Sequence, residues 1–156
     1  MTEQQVPESR VYRHHACGMD TVISGQPFEI ISNPLGDMSR TWCNTCNSFF
    51  PMTDYSWSDS GEKITDYWAR HSSRASKLER FLCSRAFLIM TAVAGLIIGL
   101  VLGYLMFHAK GGVVGVLLIG FIGFVGVFVA VALNLSVMAK TITRRVCGVS
   151  DTRVLT

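Results

Sequence analysis

Two stretches without a single charged side chain dominate what this chain can become. The first, AFLIMTAVAGLIIGLVLGYLMF, covers residues 86–107, and the second, GVVGVLLIGFIGFVGVFVAVALNLSVMA, covers 112–139. A helix needs about 20 apolar residues to cross the hydrocarbon core of a bilayer. With 22 and 28 residues, each run is long enough to span once. Charged residues make up 16% of the chain, against about 25% in an ordinary soluble domain, and the apolar excess lies almost wholly in these two runs. The connection between them, HAKGG, is short, so the two helices are expected to form an antiparallel hairpin.

The flanking charges set the expected orientation. Arg70, Arg74, Lys77, Arg80 and Arg85 precede the first run, and Lys140, Arg144 and Arg145 follow the second. The connection offers only Lys110. Lysine and arginine are retained on the cytoplasmic side, which predicts two cytoplasmic termini and an external loop, in the plasma (inner) membrane if the cell is bacterial. The opening residues MTEQQVPESR do not have the charged, apolar and small-residue regions of a signal peptide, so the first span is expected to direct insertion.

This divides the chain into a disordered start (1–9), a headpiece (10–57), an amphipathic connector helix (59–85), a first span (86–107), an external loop (108–112), a second span (113–139) and a basic cytoplasmic tail (140–156). The net charge of +3 hides a separation. Residues 1–61 hold three basic side chains against seven acids, a net of −4, whereas residues 62–85 and 140–156 each carry +3. Positive charge flanking the spans attracts anionic headgroups at about 1 kcal/mol per Lys or Arg. A nucleic-acid reader would carry its basic patch on the headpiece; the headpiece is acidic, and nucleic acid is set aside as a partner.

Within 59–85, Asp59 and Glu62 have the spacing of a capping box. Ile64, Tyr67, Trp68, His71, Ala75, Leu78 and Leu82 recur at helical spacing and form one stripe. The stripe fits either a helix lying in the headgroup plane or a connector packed on the headpiece. His71 on that stripe is read as a packed, hydrogen-bonded histidine.

The headpiece places His14 and Cys17 in YRHHACGMD and Cys43 and Cys46 in TWCNTCNSF. In a reducing compartment structural disulfides are rare. A thioredoxin-like CxxC would also open a helix, but Cys46 is followed by NSFFPMT, which reads as extended chain. Paired ligands two residues apart suit a tetrahedral structural zinc site. Each pair is followed by a residue that tolerates a left-handed backbone, Gly18 and Asn47, as a tight knuckle requires. His15 is the alternative to His14. Between the pairs, Val22–Ser24 and Phe28–Ser32 read as strands joined by a Gly25-Gln26-Pro27 turn, and NPLGD reads as a second turn.

Two knuckles bracketing short strands over residues 10–57 resemble the broad zinc-ribbon family. The resemblance implies a small β-rich domain with one structural zinc. The family's usual four cysteines become His14, Cys17, Cys43 and Cys46 here, a departure at the first position. Iron in a rubredoxin-like site is the other option, and zinc is preferred because one imidazole with three thiolates is a common zinc set. A core of this size gains from a metal. Membrane-bound RING-type ubiquitin ligases need eight ligands for two zincs; three cysteines and two histidines exclude that resemblance.

In the spans, Gly95, Gly99 and Gly103 recur every four residues, as do Gly126, Ala130 and Asn134. Small residues in register let helices approach closely, most simply with the two glycine faces meeting within the hairpin, and otherwise with one face against another subunit. Neither span carries the ionisable groups of a transporter, and the headpiece has no nucleophile–base pair, phosphate loop or paired carboxylates. The expectation is a non-catalytic membrane protein whose headpiece binds or scaffolds. An accessory subunit of a membrane enzyme or transport complex, and a thiol or metal sensor, are the alternatives. Cys83 and Cys147 flank the hairpin as small apolar residues open to acylation.

Overall fold

The computed structural model describes residues 5–155. In chain order it contains β1 (Ser9–His14), β2 (Asp20–Ser24), α1 (Gly25–Ser32), β3 (Arg40–Cys43), β4 (Ser48–Pro51), β5 (Tyr55–Trp57), α2 (Ile64–His71), α3 (Lys77–Leu82), α4 (Arg85–Phe107), α5 (Gly112–Leu133) and α6 (Lys140–Cys147), with a π-helical segment, Asn134–Ala139, joining the last two. Of the start expected to be disordered, residues 1–4 lie outside the described residues, and β1 already begins at Ser9. The chain forms two compact units, Met1–Ser76 with Thr143–Thr156, and Lys77–Ile142.

The first unit is the headpiece. Its three-stranded sheet has the order β2-β1-β5, and β3 and β4 form a separate two-stranded ribbon. On β1, Tyr12 and His14 are buried while Arg13 is exposed, the period-2 alternation of a half-buried strand. The outward pair Arg13 and Asp20 stand opposite each other across β1 and β2 and form an ion pair of 2.8 Å. The core is rich in aromatic rings: Tyr12, Phe28, Tyr55, Trp57 and Tyr67, with Ile31 and Ile64.

The expected strand at Phe28–Ser32 is instead part of α1. Phe28, Ile31 and Ser32 are buried, an i, i+3, i+4 set, whereas Ile30 is 45% exposed. A strand would have placed Phe28 and Ile30 on one face. Pro27 stands in the first turn of α1, where its missing N–H leaves no helical bond unmade.

The connector expected as one helix over 59–85 is broken. The capping box is not formed: Asp59 pairs with Arg10 at 2.9 Å and Glu62 with Arg70 at 2.7 Å, and α2 begins one residue after Glu62's neighbour Lys63. The apolar stripe of α2 turns inward, with Ile64 and Tyr67 fully buried and the Trp68 Nε1–H donating to the Ile31 carbonyl at 2.7 Å. This part is therefore a connector packed on the headpiece. The helix ends where Ser72 donates its hydroxyl back to the Trp68 carbonyl at 2.7 Å, in a serine-rich stretch whose side chains compete with helical hydrogen bonds. In α3, Leu78 is 64% exposed, so the stripe does not continue inward.

The end of the chain, expected as a tail, joins the headpiece. Leu155 is part of its core, and Cys147 and Val149 pack against it. The Arg10 guanidinium donates to the Leu155 carbonyl at 3.1 Å and lies 4.1 Å above the Trp57 ring.

In the second unit, α4 and α5 are two helices long and apolar enough to cross a membrane. A turn of His108–Lys110 connects them, followed by Gly111 and Gly112 at φ +57° and +62°, a left-handed backbone that glycine adopts without steric cost. The glycine face of α4 meets α5. A Cβ built at Gly95 would lie 2.5 Å from the Gly126 carbonyl oxygen and 2.7 Å from the Ala130 Cβ, and one at Gly99 would lie 2.6 Å from the Ile122 oxygen. Asn134 is buried and donates to the Thr91 hydroxyl on α4 at 3.4 Å, a bond across the two helices.

Candidate metal centre

His14, Cys17, Cys43 and Cys46 come together at the tips of two hairpins. His14 ends β1 and Cys17 lies in the turn to β2; Cys43 ends β3 and Cys46 lies in the turn to β4. Both turns are tight. The Gly18 amide donates to the His14 carbonyl at 2.8 Å with Gly18 at φ +69°, and Asn47 at φ 51° is the one positive-φ non-glycine among the described residues. The two left-handed positions expected after the ligand pairs are both present.

The four ligand atoms all lie within 4.8 Å of one another. His14 Nδ1 is 3.3 Å from Cys17 Sγ and 3.6 Å from Cys46 Sγ, and the sulfurs of Cys17 and Cys43 are 3.8 Å apart. A tetrahedral site with metal–sulfur bonds of about 2.3 Å and metal–nitrogen bonds of about 2.1 Å has N···S edges of about 3.6 Å and S···S edges of about 3.8 Å. The donor set and its spacing therefore fit one metal ion. A disulfide between Cys17 and Cys43 would require an S–S distance of about 2.05 Å, and all five cysteines are free thiols.

The end of β1 separates the two histidines: His14 is its last residue and His15 the first of the turn. His14 is fully buried; His15 points the other way and shares a 3.0 Å hydrogen bond with the Ser56 hydroxyl. The His14 ring is held between Tyr55, stacked at 4.8 Å, and Phe50, tilted at 4.3 Å. Its Nε2 is buried with no hydrogen-bond partner. Metal-bound histidines usually donate their second N–H to an acceptor; here packing between two rings orients the imidazole instead.

The local electrostatics fit a site that gathers thiolates. Backbone amides of Cys46 and Thr45 hydrogen-bond Cys43, and the Cys46 amide contributes most to holding this thiol below its ordinary range. Burial, reinforced by the neighbouring Cys17 and Cys43, pushes the Cys46 thiol up to about 11. Three thiols crowded together cannot all ionise without a cation among them.

Two tyrosines that the sequence reading missed bring the hairpins into register. The Tyr12 hydroxyl donates to the Trp42 carbonyl at 3.2 Å, the residue before Cys43. The Tyr55 hydroxyl donates to the Thr41 carbonyl at 3.5 Å, and the two tyrosine rings meet edge to face at 5.1 Å. The alternation of Tyr12 and His14 on β1 is the signal that could have found the first. His71, read as a packed histidine, lies 4.7 Å from the Tyr67 ring.

The chain matches no protein-family model, and neither a curated protein nor a solved structure is significantly similar to it.

Proposed function

We propose that this is an integral membrane protein with two spans, whose headpiece is a zinc-ribbon-like module that binds or scaffolds a partner at the cytoplasmic face. The observation that carries the reading is the convergence of one imidazole and three cysteine sulfurs within 4.8 Å at two facing hairpin tips. That donor set is a common structural zinc set, and four protein ligands leave no open position for a water to be activated. Paired hairpin knuckles support the ribbon reading. The uncharged α4 and α5 support insertion in the bilayer, and the basic residues flanking them support cytoplasmic termini and contact with anionic lipid.

Two measurements on the full chain test the reading. Metal analysis of protein purified in detergent with its thiols reduced should give one zinc per chain; iron in its place would change the metal assignment, and less than about half an equivalent of any metal would remove the structural site. Gentle extraction followed by native mass measurement should show a protein partner lost when the headpiece site is disrupted by Cys43→Ser. A chain that runs alone, with or without the site, would sink the scaffolding proposal.

A further inference from the structure

One cavity of the headpiece has a different chemistry from the metal centre. It measures about 280 Å³ and is lined by Arg70, His71, Ser73, Arg74, Val146 and Cys147. Its two walls, the end of α2 with the following turn and the end of α6, both belong to the headpiece unit. Most of its donors are cationic or hydroxylic.

Part of this charge has a local explanation. Arg70 and His71 occupy the last turn of α2, where positive side chains complement the helix dipole, and Arg70 is held by Glu62 through bonds of 2.7 and 3.0 Å. Arg74 does not fit that account. It lies beyond the helix, is exposed, and makes no ion pair among the described residues. Its guanidinium offers a planar fork of donors suited to an oxyanion. Beside it, Ser73 adds a hydroxyl and His71 an imidazole. A fork beside a hydroxyl suits a phosphate, which takes bidentate arginine bonds on two oxygens and leaves a third for the hydroxyl.

We infer that this cavity is a binding site for a phosphate group, with Arg74 as its principal contact and His71 and Ser73 as the surrounding donors. Two sources share that chemistry: the phosphomonoester headgroup of an acidic lipid, and a free phosphate. The lipid source rests on the membrane reading above; the free source does not.

The experiment uses the full chain in uncharged detergent. Orthophosphate is titrated calorimetrically, and retention of phosphatidic acid over phosphatidylcholine is read by native mass spectrometry. Arg74→Ala is compared with Lys140→Ala, which removes a positive charge from the sequence flanking the second span but not from the cavity, and metal content confirms that each headpiece is intact. Loss of a charge-assisted bond is expected to weaken binding about tenfold in Arg74→Ala, with partial recovery in Arg74→Lys and little change in Lys140→Ala. Binding of both probes assigns a site open to free phosphate. Selective retention of phosphatidic acid without orthophosphate binding assigns a headgroup site. Equal losses in Arg74→Ala and Lys140→Ala, or no binding of either probe, overturn the inference. Neither result bears on what co-purifies with the protein, so the scaffolding proposal stands or falls separately.

Discussion

Gly18 and Asn47 carry the residue-scale physics of the candidate metal centre. Each follows a ligand pair and takes a positive φ, +69° and 51°. For residues with a Cβ, the left-handed region costs about 1–2 kcal/mol, with asparagine among the side chains that visit it most readily. The spacing of the ligands and these two residues identified the site in the sequence, because a knuckle is a local structure. His14 was also legible in principle, since alternation on β1 puts it on the buried face with Tyr12, while His15 falls in the turn beyond the strand. Gly18→Ala has open space around its added Cβ, so its cost is conformational alone. Thermal unfolding of the metal-loaded protein should show a loss of about 1–2 kcal/mol for Gly18→Ala and no loss for Asn47→Gly. Equal stability of Gly18→Ala and the parent would show that the turn relaxes.

At the scale of elements, α1 and the α4–α5 pair differ in what their sequences could reveal. GQPFEIIS is short, and its apolar residues satisfy a strand pattern almost as well as a helical one. Only the core it packs on selects the face with Phe28 and Ile31 buried. The break between α2 and α3 was hidden for a related reason: the helical period runs through Ser72–Ser76, and three weak helix formers decide the matter only when Tyr67 and Trp68 are anchored in the headpiece. In the hairpin the four-residue glycine spacing foretold close approach, most simply between the two glycine faces, but not which glycines carry it. The approach joins α4 to α5, and the glycines separate into two kinds. A side chain at Gly99 would collide with Ile122 and Gly123, whereas one at Gly120 meets nothing within 4 Å. Gly99→Leu should therefore force the helices apart and lower thermal stability in detergent by about 1–3 kcal/mol, while Gly120→Leu leaves it unchanged. Comparable behaviour of the two variants would refute this packing.

At the scale of the whole molecule, the last residues complete a core begun at the other end of the chain. Leu155 is 7% exposed among the headpiece residues, and Arg10 holds its carbonyl while pairing with Asp59. Burial raises the Asp59 carboxyl, but the hydrogen bonds and charge of Arg10 outweigh that and hold it below the ordinary range. A depressed carboxylate contributes stability above its unfolded pKa of about 4 and loses it as the pH falls through the folded value. Leu155→Ala should lower headpiece stability by about 2–3 kcal/mol, read by chemical denaturation at neutral pH with metal bound. A change under about 0.5 kcal/mol would place Leu155 outside the core.

The sequence by itself determined the two apolar helices, the His14, Cys17, Cys43 and Cys46 cluster and the left-handed turns that follow its two pairs. Each depends on composition or on neighbours a few residues apart, where length, charge and backbone sterics act without reference to the rest of the chain. Tertiary structure alone decided that residues 25–32 coil into a helix, that the connector breaks at its serines, that Tyr12 and Tyr55 lock the two hairpins together, and that Leu155 returns to the headpiece. Those outcomes turn on which apolar surfaces meet across distances as long as the 145 residues between Arg10 and Leu155. Burial energy depends on the area removed from water, and that area exists only once the distant partner is in place.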